Sequence, residues 1–150
     1  MSAIDVTVDT TIAVTRDEVA HYVIDHGNDP AWIGGITESE LLGEPPIAVG
    51  SRVRRVASFM GKRIEYVNEV TRLEPGTLLE MRSVKSPFPM VVTYEFDEEG
   101  DGTTRTSVRV QGDPSALYRL AGPLMSRKVR KSVAADLETL KRILQEERTR

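Results

Sequence analysis

The sequence predicts an α+β domain in which a curved antiparallel sheet of about seven strands wraps around a long C-terminal helix. Alternating apolar residues mark a first strand, and six more strand-like segments follow it. An apolar stripe at helical spacing then runs through the C-terminal quarter of the chain. Because a sheet and an amphipathic helix each have an apolar face to bury, the two are expected to pack against each other.

The N-terminal segment predicts a half-buried strand followed by a short helix. Residues 4–14 place mainly Ile and Val on one parity and Asp and Thr on the other, the alternation of a strand with one buried face. Thr15-Arg16-Asp17-Glu18 has the spacing of a capping box, and helical spacing continues to about Asp25. His26-Gly27-Asn28-Asp29-Pro30 ends the helix, so one or two short helices are expected after the first strand.

Six further strands are predicted from β-like segments bounded by turns. They span residues 36–43, 51–59, 63–73, 78–85, 90–97 and 103–111. Glycine-containing turns lie at residues 60–62, 74–77 and 98–102. Connections this short force neighbouring strands to be antiparallel, because a parallel crossover needs roughly a dozen residues. This part of the chain is therefore predicted to form a meander.

The last element is predicted to be a long helix that begins near Asp113-Pro114-Ser115, where aspartate can cap it and proline fits its first turn. Its apolar residues form one stripe over about eight turns. They occupy positions 117, 120, 121, 124, 125, 129, 133, 137, 140 and 144. Gly122-Pro123 is expected to kink or split this helix.

The composition fits one soluble domain over residues 1–150. The chain contains no cysteine, which removes disulfides, thiolate metal sites and a cysteine nucleophile, and fits a reducing compartment. The first residues do not have the pattern of a signal peptide, and no apolar run approaches the roughly 18 residues that span a bilayer. A cytoplasmic location without integral membrane association is therefore expected.

The charge is unevenly distributed. The net charge is −3, yet residues 114–150 alone carry +5. A basic helix could bind an anionic protein or membrane, but the ordinary interpretation is that its charges form the solvated face of a helix packed on an acidic body. No aromatic residue lies within Arg127-Lys128-Val129-Arg130-Lys131, so nucleic acid is not an expected partner. Homodimer formation stays open.

Polar side chains on the inner parity of the strands predict a cavity between sheet and helix. Buried polar groups need a partner, which can be another side chain, water or a ligand. A mostly apolar wall with a few hydroxyl groups and an amide is typical of a small-molecule site. The predicted ligand-binding residues are Trp32, Tyr66, Asn68, Leu79, Met81, Ser83, Phe88, Met90, Tyr94, Thr106, Leu117, Leu120, Ala121, Leu124 and Met125.

Trp32, the only tryptophan, has two interpretations. It could cover the mouth of the cavity where its loop meets the last helix, or it could simply fill volume between the short helix and the sheet. Gly34-Gly35 and Gly122-Pro123 both indicate mobile elements near one end, which favours a gated entrance.

The chain resembles the START-like superfamily, and within it the polyketide cyclase/dehydrase-like (SRPBCC) group. The residues that carry the resemblance are Thr15-Arg16-Asp17-Glu18-Val19, Asp29-Pro30-Ala31-Trp32, Val70-Thr71-Arg72-Leu73-Glu74-Pro75-Gly76, Leu120-Ala121-Gly122-Pro123-Leu124 and Asp136-Leu137-Glu138-Thr139-Leu140-Lys141. The resemblance spans nearly the whole chain and implies the helix-grip fold of a single START-like ligand-binding domain. It implies no single function, because the group includes carriers, receptors and cyclases.

No metal or cofactor is expected. The only histidines, His21 and His26, are five residues apart and would lie on different faces of a helix. Gly34-Gly35 is followed by Ile-Thr-Glu, without the lysine of a phosphate-binding loop.

The resemblance to aromatase/cyclases implies three catalytic candidates. Tyr66 or Tyr94 could donate a proton and Arg55 could anchor a carbonyl or enolate, with Asn68 as a hydrogen-bonding guide. The strand register of Arg52-Val53-Arg54-Arg55-Val56 is ambiguous, and an exposed Arg55 is the ordinary interpretation. No carboxylate is expected on the inner parity of the strands, so no buried base is predicted.

Three functional hypotheses follow. The first is binding of an apolar small molecule, such as a lipid, a polyketide-like compound or an aromatic metabolite. The second is a polyketide aromatase/cyclase or dehydratase, working without metal or nucleotide cofactor. The third is an interaction module that uses the basic C-terminal helix, whose binding would weaken sharply with salt.

Overall fold

A computed structural model describes residues 4–114, residue 118 and residues 122–148. The helices are α1 (Arg16–Ile24), α2 (Asp29–Trp32) and α3 (Gly122–Arg148), with a short 3₁₀ turn (His26–Asn28) before α2. The strands are β1 (Ile4–Ile12), β2 (Ile36–Leu42), β3 (Arg52–Phe59), β4 (Lys62–Glu74), β5 (Leu78–Lys85), β6 (Met90–Glu98) and β7 (Thr104–Gly112). The predicted α+β fold, a curved antiparallel sheet with a long C-terminal helix, is confirmed.

All seven strands belong to one antiparallel sheet in the order β1-β7-β6-β5-β4-β3-β2. Strands β2 to β7 follow each other as the predicted meander, and β1 pairs with β7 at the far edge. The turn between β3 and β4 consists of Met60 and Gly61, both with positive φ, which fits the twist of a tight hairpin.

Side chains of one parity from the strands and one stripe of α3 form the core. Among the largest fully buried side chains are Phe96, Ile12, Met81, Leu137 and Leu140. The backbone of α3 runs closest to β1 and also approaches α2. Side chains must therefore bridge a wider gap between α3 and the middle of the sheet.

The helical stripe is only partly as predicted. Met125, Val133, Leu137, Leu140 and Leu144 are buried, but Leu124 is 49% exposed and departs from the stripe. Successive residues of a helix point about 100° apart. When Met125 points at the sheet, its neighbour Leu124 must therefore point away from the centre of the buried face.

The described part of α3 runs from Gly122 and includes Pro123. The residues just before it lie outside the described part of the chain, so the predicted kink or split stays a prediction. Leu117, Leu120 and Ala121 lie outside the described residues.

The start of α1 shows half of the predicted capping box. The Thr15 hydroxyl group accepts a hydrogen bond from the backbone N–H of Glu18 (3.4 Å). The Glu18 carboxylate, however, accepts from the Thr15 hydroxyl group (3.0 Å) instead of from its backbone N–H. The cap therefore satisfies one free amide of the helix.

The core position of Leu137 gives a direct test of this packing. Leu137 is 1% exposed, so Leu137→Ala is expected to lower the free energy of unfolding by about 2–5 kcal/mol. Leu124→Ala on the same helix makes the same chemical change at a half-exposed position and should cost well under that, about 0.5 kcal/mol. Urea unfolding of both variants measures the difference, and equal losses would contradict the packing.

Candidate functional site

Two adjoining cavities, each of about 160 Å³, lie between the sheet and α3. They share wall residues from β3, β4, β6, β7 and α3. The shared residues are Ala57, Phe59, Tyr66, Met90, Val110, Ser132 and Val133. The first cavity extends toward Trp32, Arg55, Asn68, Tyr94 and Asp136, and the second toward Ile4, Ile64, Phe88, Gln111 and Tyr118.

The space exists because small residues stand where α3 is farther from the sheet. Ala57 on β3 and Ser132 on α3 line both cavities, and Gly35 lines the first. A Cβ atom at Gly35 would lie 3.0 Å from the carbonyl oxygen of Ser58, so this position favours glycine. At the other end, Phe59 and Tyr118 pack edge to face with ring centroids 5.4 Å apart.

A buried ion pair forms the polar end of the first cavity. Arg55 donates from Nε (3.0 Å) and Nη2 (2.8 Å) to the same oxygen, Oδ2, of Asp29. The Ser39 hydroxyl group donates to that oxygen as well (2.7 Å). Arg55 is 5% exposed and Asp29 1% exposed, so the two charges compensate each other away from water.

The structure resolves the ambiguous register of residues 52–55, and Arg55 is buried, against its ordinary interpretation as an exposed residue. In the register of β3, Arg55 stands opposite Tyr66 of β4, on the inner parity with Val53 and Ala57. A buried guanidinium needs a carboxylate, and α2 supplies it from outside the sheet. The expectation that no buried carboxylate exists considered the strands alone and missed Asp29.

Tyr94 contacts this ion pair, and Trp32 packs on Tyr94. Arg55 Nη2 also donates to the hydroxyl oxygen of Tyr94 at 3.4 Å. Burial raises the pKa of Tyr94 to about 12, so its hydroxyl group keeps its proton at neutral pH. Burial alone would lower the pKa of Arg55, but the neighbouring Tyr94 and Asp29 raise it above its ordinary value. The Trp32 ring packs edge to face on Tyr94, with centroids 6.0 Å apart.

Trp32 is a core residue that also lines the first cavity, and its role at the mouth of the cavity stays a prediction. It is 3% exposed and belongs to the hydrophobic core, and it also lines the first cavity. Its position follows from α2, a four-residue helix that begins with Asp29 and ends with Trp32. The ion pair of Asp29 and the ring of Trp32 are therefore placed by the same short element.

Asp136 brings a second carboxylate to the first cavity, from the α3 side. Its Oδ1 atom accepts a hydrogen bond from the backbone N–H of Gly34 at 2.9 Å, joining the loop after α2 to the helix. Burial raises the pKa of this carboxyl group to about 6, although the Gly34 hydrogen bond opposes the shift. The pKa of Asp136 therefore lies about one unit below neutral pH.

The predicted ligand-binding residues fall into three groups. Trp32, Tyr66, Asn68, Phe88, Met90 and Tyr94 line one or both cavities. Leu79, Met81, Ser83, Thr106 and Met125 are buried or half-buried and, like the exposed Leu124, line neither of the two cavities. Leu117, Leu120 and Ala121 fall in the stretch that is not described. The Ser83 hydroxyl group instead accepts from the backbone N–H of Met90 (2.9 Å).

Several buried polar atoms find no hydrogen-bond partner among the described residues. They include Oδ1 of Asp29, Nε1 of Trp32, Oδ1 of Asn68 and Oγ1 of Thr106. An unpaired buried polar atom is costly, so such atoms are usually met by water or a ligand. Trp32 and Asn68 belong to the wall of the first cavity, which makes that end the polar part of the site.

Sequence reasoning missed Asp29, Ser39, Ser132 and Asp136. The available signal for Asp136 was its place beside the apolar stripe of α3, one residue before Leu137 and three after Val133. A carboxylate next to the buried stripe of a helix is usually exposed to solvent. Asp136 instead lines the first cavity.

A larger and more open groove lies outside the space between the sheet and α3. A groove of about 730 Å³ between α1 and the β2–β3 connection is lined by ionisable side chains among others, including Asp17, His21, Asp25 and His26. Within the described ranges, no three histidine, aspartate or glutamate side chains converge as metal ligands. No described helix has both the length and the apolar character needed to cross a membrane.

The basic side chains of α3 lie on its outer side. Arg127, Lys128, Arg130 and Lys131 are at least partly exposed, and Arg130 donates to the backbone oxygen of Thr7 (3.1 Å). This arrangement fits a solvated helix face, and the interaction module stays a prediction to be tested by salt dependence.

Comparisons with known proteins agree on the architecture. A family model described as "Polyketide cyclase / dehydrase and lipid transport" matches residues 3–145. A START superfamily protein from Mycobacterium smegmatis has a TM-score of 0.81 at 14% identity, covering 95% of this chain and 97% of that one. A Thermus thermophilus protein, TTHA0849, gives 0.79 at 18% identity, covering 96% and 99%. The Zhui aromatase/cyclase from Streptomyces sp. R1128 gives 0.78 at 17% identity, covering 98% and 96%.

At these identities the structural likeness shows the fold alone. A search of curated protein sequences gave no match.

Because Asp29 and Arg55 form a buried ion pair, the effects of substituting them on stability should not be additive. Asp29→Ala leaves the Arg55 charge buried without a carboxylate, so we expect a loss of about 3–5 kcal/mol of unfolding free energy. Adding Arg55→Met removes the orphaned charge and should recover at least half of that loss. Urea unfolding of the single and double variants measures the coupling. Losses that simply add up would contradict a compensated buried pair.

Asp136 predicts a change of stability with pH. Its carboxyl group holds a proton up to about pH 6 in the folded chain, whereas the unfolded chain releases it near the ordinary value of 3.8. Its contribution to stability is therefore present below pH 4 and is lost as the pH rises to about 6. Asp136→Asn removes this titration and keeps an oxygen for the Gly34 N–H. Relative to wild type, the free energy of unfolding of the variant should rise by about 1–2 kcal/mol as the pH is raised from 4 to 7.

Urea unfolding of wild type and Asp136→Asn at each pH tests this prediction. A stability difference that stays constant across the range would show that the carboxyl group does not titrate with a raised pKa.

Proposed function

Because this chain belongs to the polyketide cyclase/dehydrase and lipid transport family, we propose that it binds one apolar small molecule between its sheet and α3. Its START-like helix-grip fold is a ligand-binding architecture, and the family match supports the resemblance seen in the sequence. The ligand is a lipid, a polyketide-like compound or an aromatic metabolite. The proposal needs no metal or nucleotide cofactor and takes the protein to be cytoplasmic.

The observation that carries the proposal is the pair of adjoining apolar cavities. Protein cores are normally packed so that few voids exceed the size of a water molecule, which makes unfilled space of this size informative. A single apolar cavity of about 150 Å³ can hold benzene. Each cavity here has about 160 Å³, so together they have room for a fused-ring compound or a medium-length alkyl chain.

The walls between the two cavities can adapt to a longer ligand. Phe59, Tyr66 and Met90 line both cavities, and Met90 is only half-buried. Methionine has three rotatable bonds and packs well against irregular shapes. Rotation of such side chains would join the two spaces without moving the backbone.

A second candidate is an aromatase/cyclase or dehydratase, favoured by the acid–base groups at the polar end. Asp136 has a pKa of about 6 and could exchange a proton with a bound ligand near neutral pH. Tyr66 lines both cavities, and Tyr94, with a pKa of about 12, would act only as a hydrogen-bond donor. Arg55 would act together with Asp29. Turnover that is lost in Tyr66→Phe while ligand binding persists would favour this candidate.

Ligand binding can be tested by filling the cavities. Ser132 lines both, so Ser132→Phe is expected to occupy the space and lower ligand affinity by about tenfold or more. Ala135→Phe places the same side chain on an exposed position of α3 and should leave affinity unchanged. Fluorescence of Trp32, the only tryptophan, reports binding because its ring lines the first cavity.

The measurement is a titration of wild type and both variants with a panel of alcohols, sterols and polycyclic aromatics. Thermal unfolding checks that each variant is folded. If no compound perturbs Trp32 in the wild type, or if Ser132→Phe binds as well as Ala135→Phe, the proposed site is wrong.

A further inference from the structure

The described side chains around the two cavities include one basic residue and one acidic residue. They are Arg55 and Asp136, and both line the first cavity. The remaining described wall residues are apolar, or carry hydroxyl or amide groups. The charge that an entering ligand meets is therefore set by these two residues and by the partners that they already have.

Arg55 is already committed to Asp29. Two of its donors lie on Asp29 Oδ2, at 3.0 and 2.8 Å, and Ser39 holds the same oxygen at 2.7 Å. Drawing the guanidinium toward an anionic ligand would leave a carboxylate that is 1% exposed without its counter-charge. The pair thus presents no net positive charge to the cavity.

Asp136 adds a negative charge on the opposite wall. Its Oδ1 atom is held by the Gly34 N–H at 2.9 Å, and its carboxyl group, with a pKa of about 6, is ionised at pH 8. The ionisable groups that face the cavity from the sheet are Arg55, Tyr66 and Tyr94. None of these supplies an uncompensated cation, so a ligand carboxylate would share the cavity with a like charge.

A hydroxyl group on the ligand meets a different environment. It can donate a hydrogen bond to the Asp136 carboxylate, and charge-assisted hydrogen bonds of this kind are among the stronger ones. It can also accept from a nearby hydroxyl or amide group, since Ser132 and Asn68 line the same cavity. The polar end thus has partners for a neutral group that both donates and accepts.

From this arrangement we infer that the site selects uncharged ligands bearing a hydroxyl group and rejects the corresponding carboxylates. In terms of ligand class, long-chain alcohols or phenols are accepted and fatty acids are not. The inference rests on the proposed function and narrows its ligand class by charge. Asp136 is the residue that enforces the selection, and the Arg55–Asp29 pair permits it by offering no free cation.

The test compares 1-decanol with decanoate at pH 8, using Trp32 fluorescence of the full chain. The wild type should bind the alcohol at least about tenfold more tightly. Part of that preference comes from the greater hydration of any carboxylate, so the decisive comparison is with Asp136→Asn. This variant should tighten decanoate binding at least about threefold and weaken decanol binding, because a neutral amide oxygen replaces the carboxylate that accepts the hydroxyl hydrogen bond.

Each outcome bears on a different claim. Decanoate bound as tightly as decanol by the wild type, or a decanol-to-decanoate ratio unchanged in Asp136→Asn, overturns the charge selection but leaves the cavity as a binding site. If neither compound binds the wild type while its fold is intact, the proposed function fails and the selection with it.

Discussion

The guanidinium group of Arg55, buried on the inner face of β3, donates twice to Asp29 at the start of α2, and the site is arranged around this contact. Ser39 of β2 donates to the same oxygen, and Nη2 of Arg55 also donates to the hydroxyl group of Tyr94 on β6. The pair therefore fixes a four-residue helix on the sheet, which places Trp32 and the loop that reaches Asp136. Two buried charges are tolerated here only because each compensates the other.

The same arrangement explains why the interior is not completely filled. The backbone of α3 runs closest to β1, while α2 and its loop hold the helix near the opposite side of the sheet. Between these supports, the small residues Ala57 of β3 and Ser132 of α3 line both cavities. The space that results has an apolar end and a polar end, with the ion pair and Asp136 at the polar one. A ligand with one apolar end and one polar end would fill the space that the side chains leave unfilled.

The sequence predicted the strands closely and the polar site poorly, for a physical reason. Strand bounds such as 90–97 against Met90–Glu98 follow from local alternation and glycine-containing turns, which act over a few residues. Arg55 and Asp29 are 26 residues apart, and Gly34 and Asp136 are 102 apart, so their contacts depend on how the elements pack. Inner parity correctly placed Tyr66, Asn68 and Tyr94 at the cavity. Parity alone could not distinguish these residues from Leu79 or Met81, because core residues and cavity-lining residues alternate along a strand in the same way.

The space between the sheet and α3 is proposed to hold one apolar, uncharged molecule. Native mass spectrometry of the protein after exposure to a mixed lipid and aromatic extract tests this most directly, with the bound species released by organic solvent and identified. We expect one neutral molecule per chain, carrying a hydroxyl group on an apolar body. A chain that keeps its bare mass under these conditions, or that retains only anionic compounds, would contradict it.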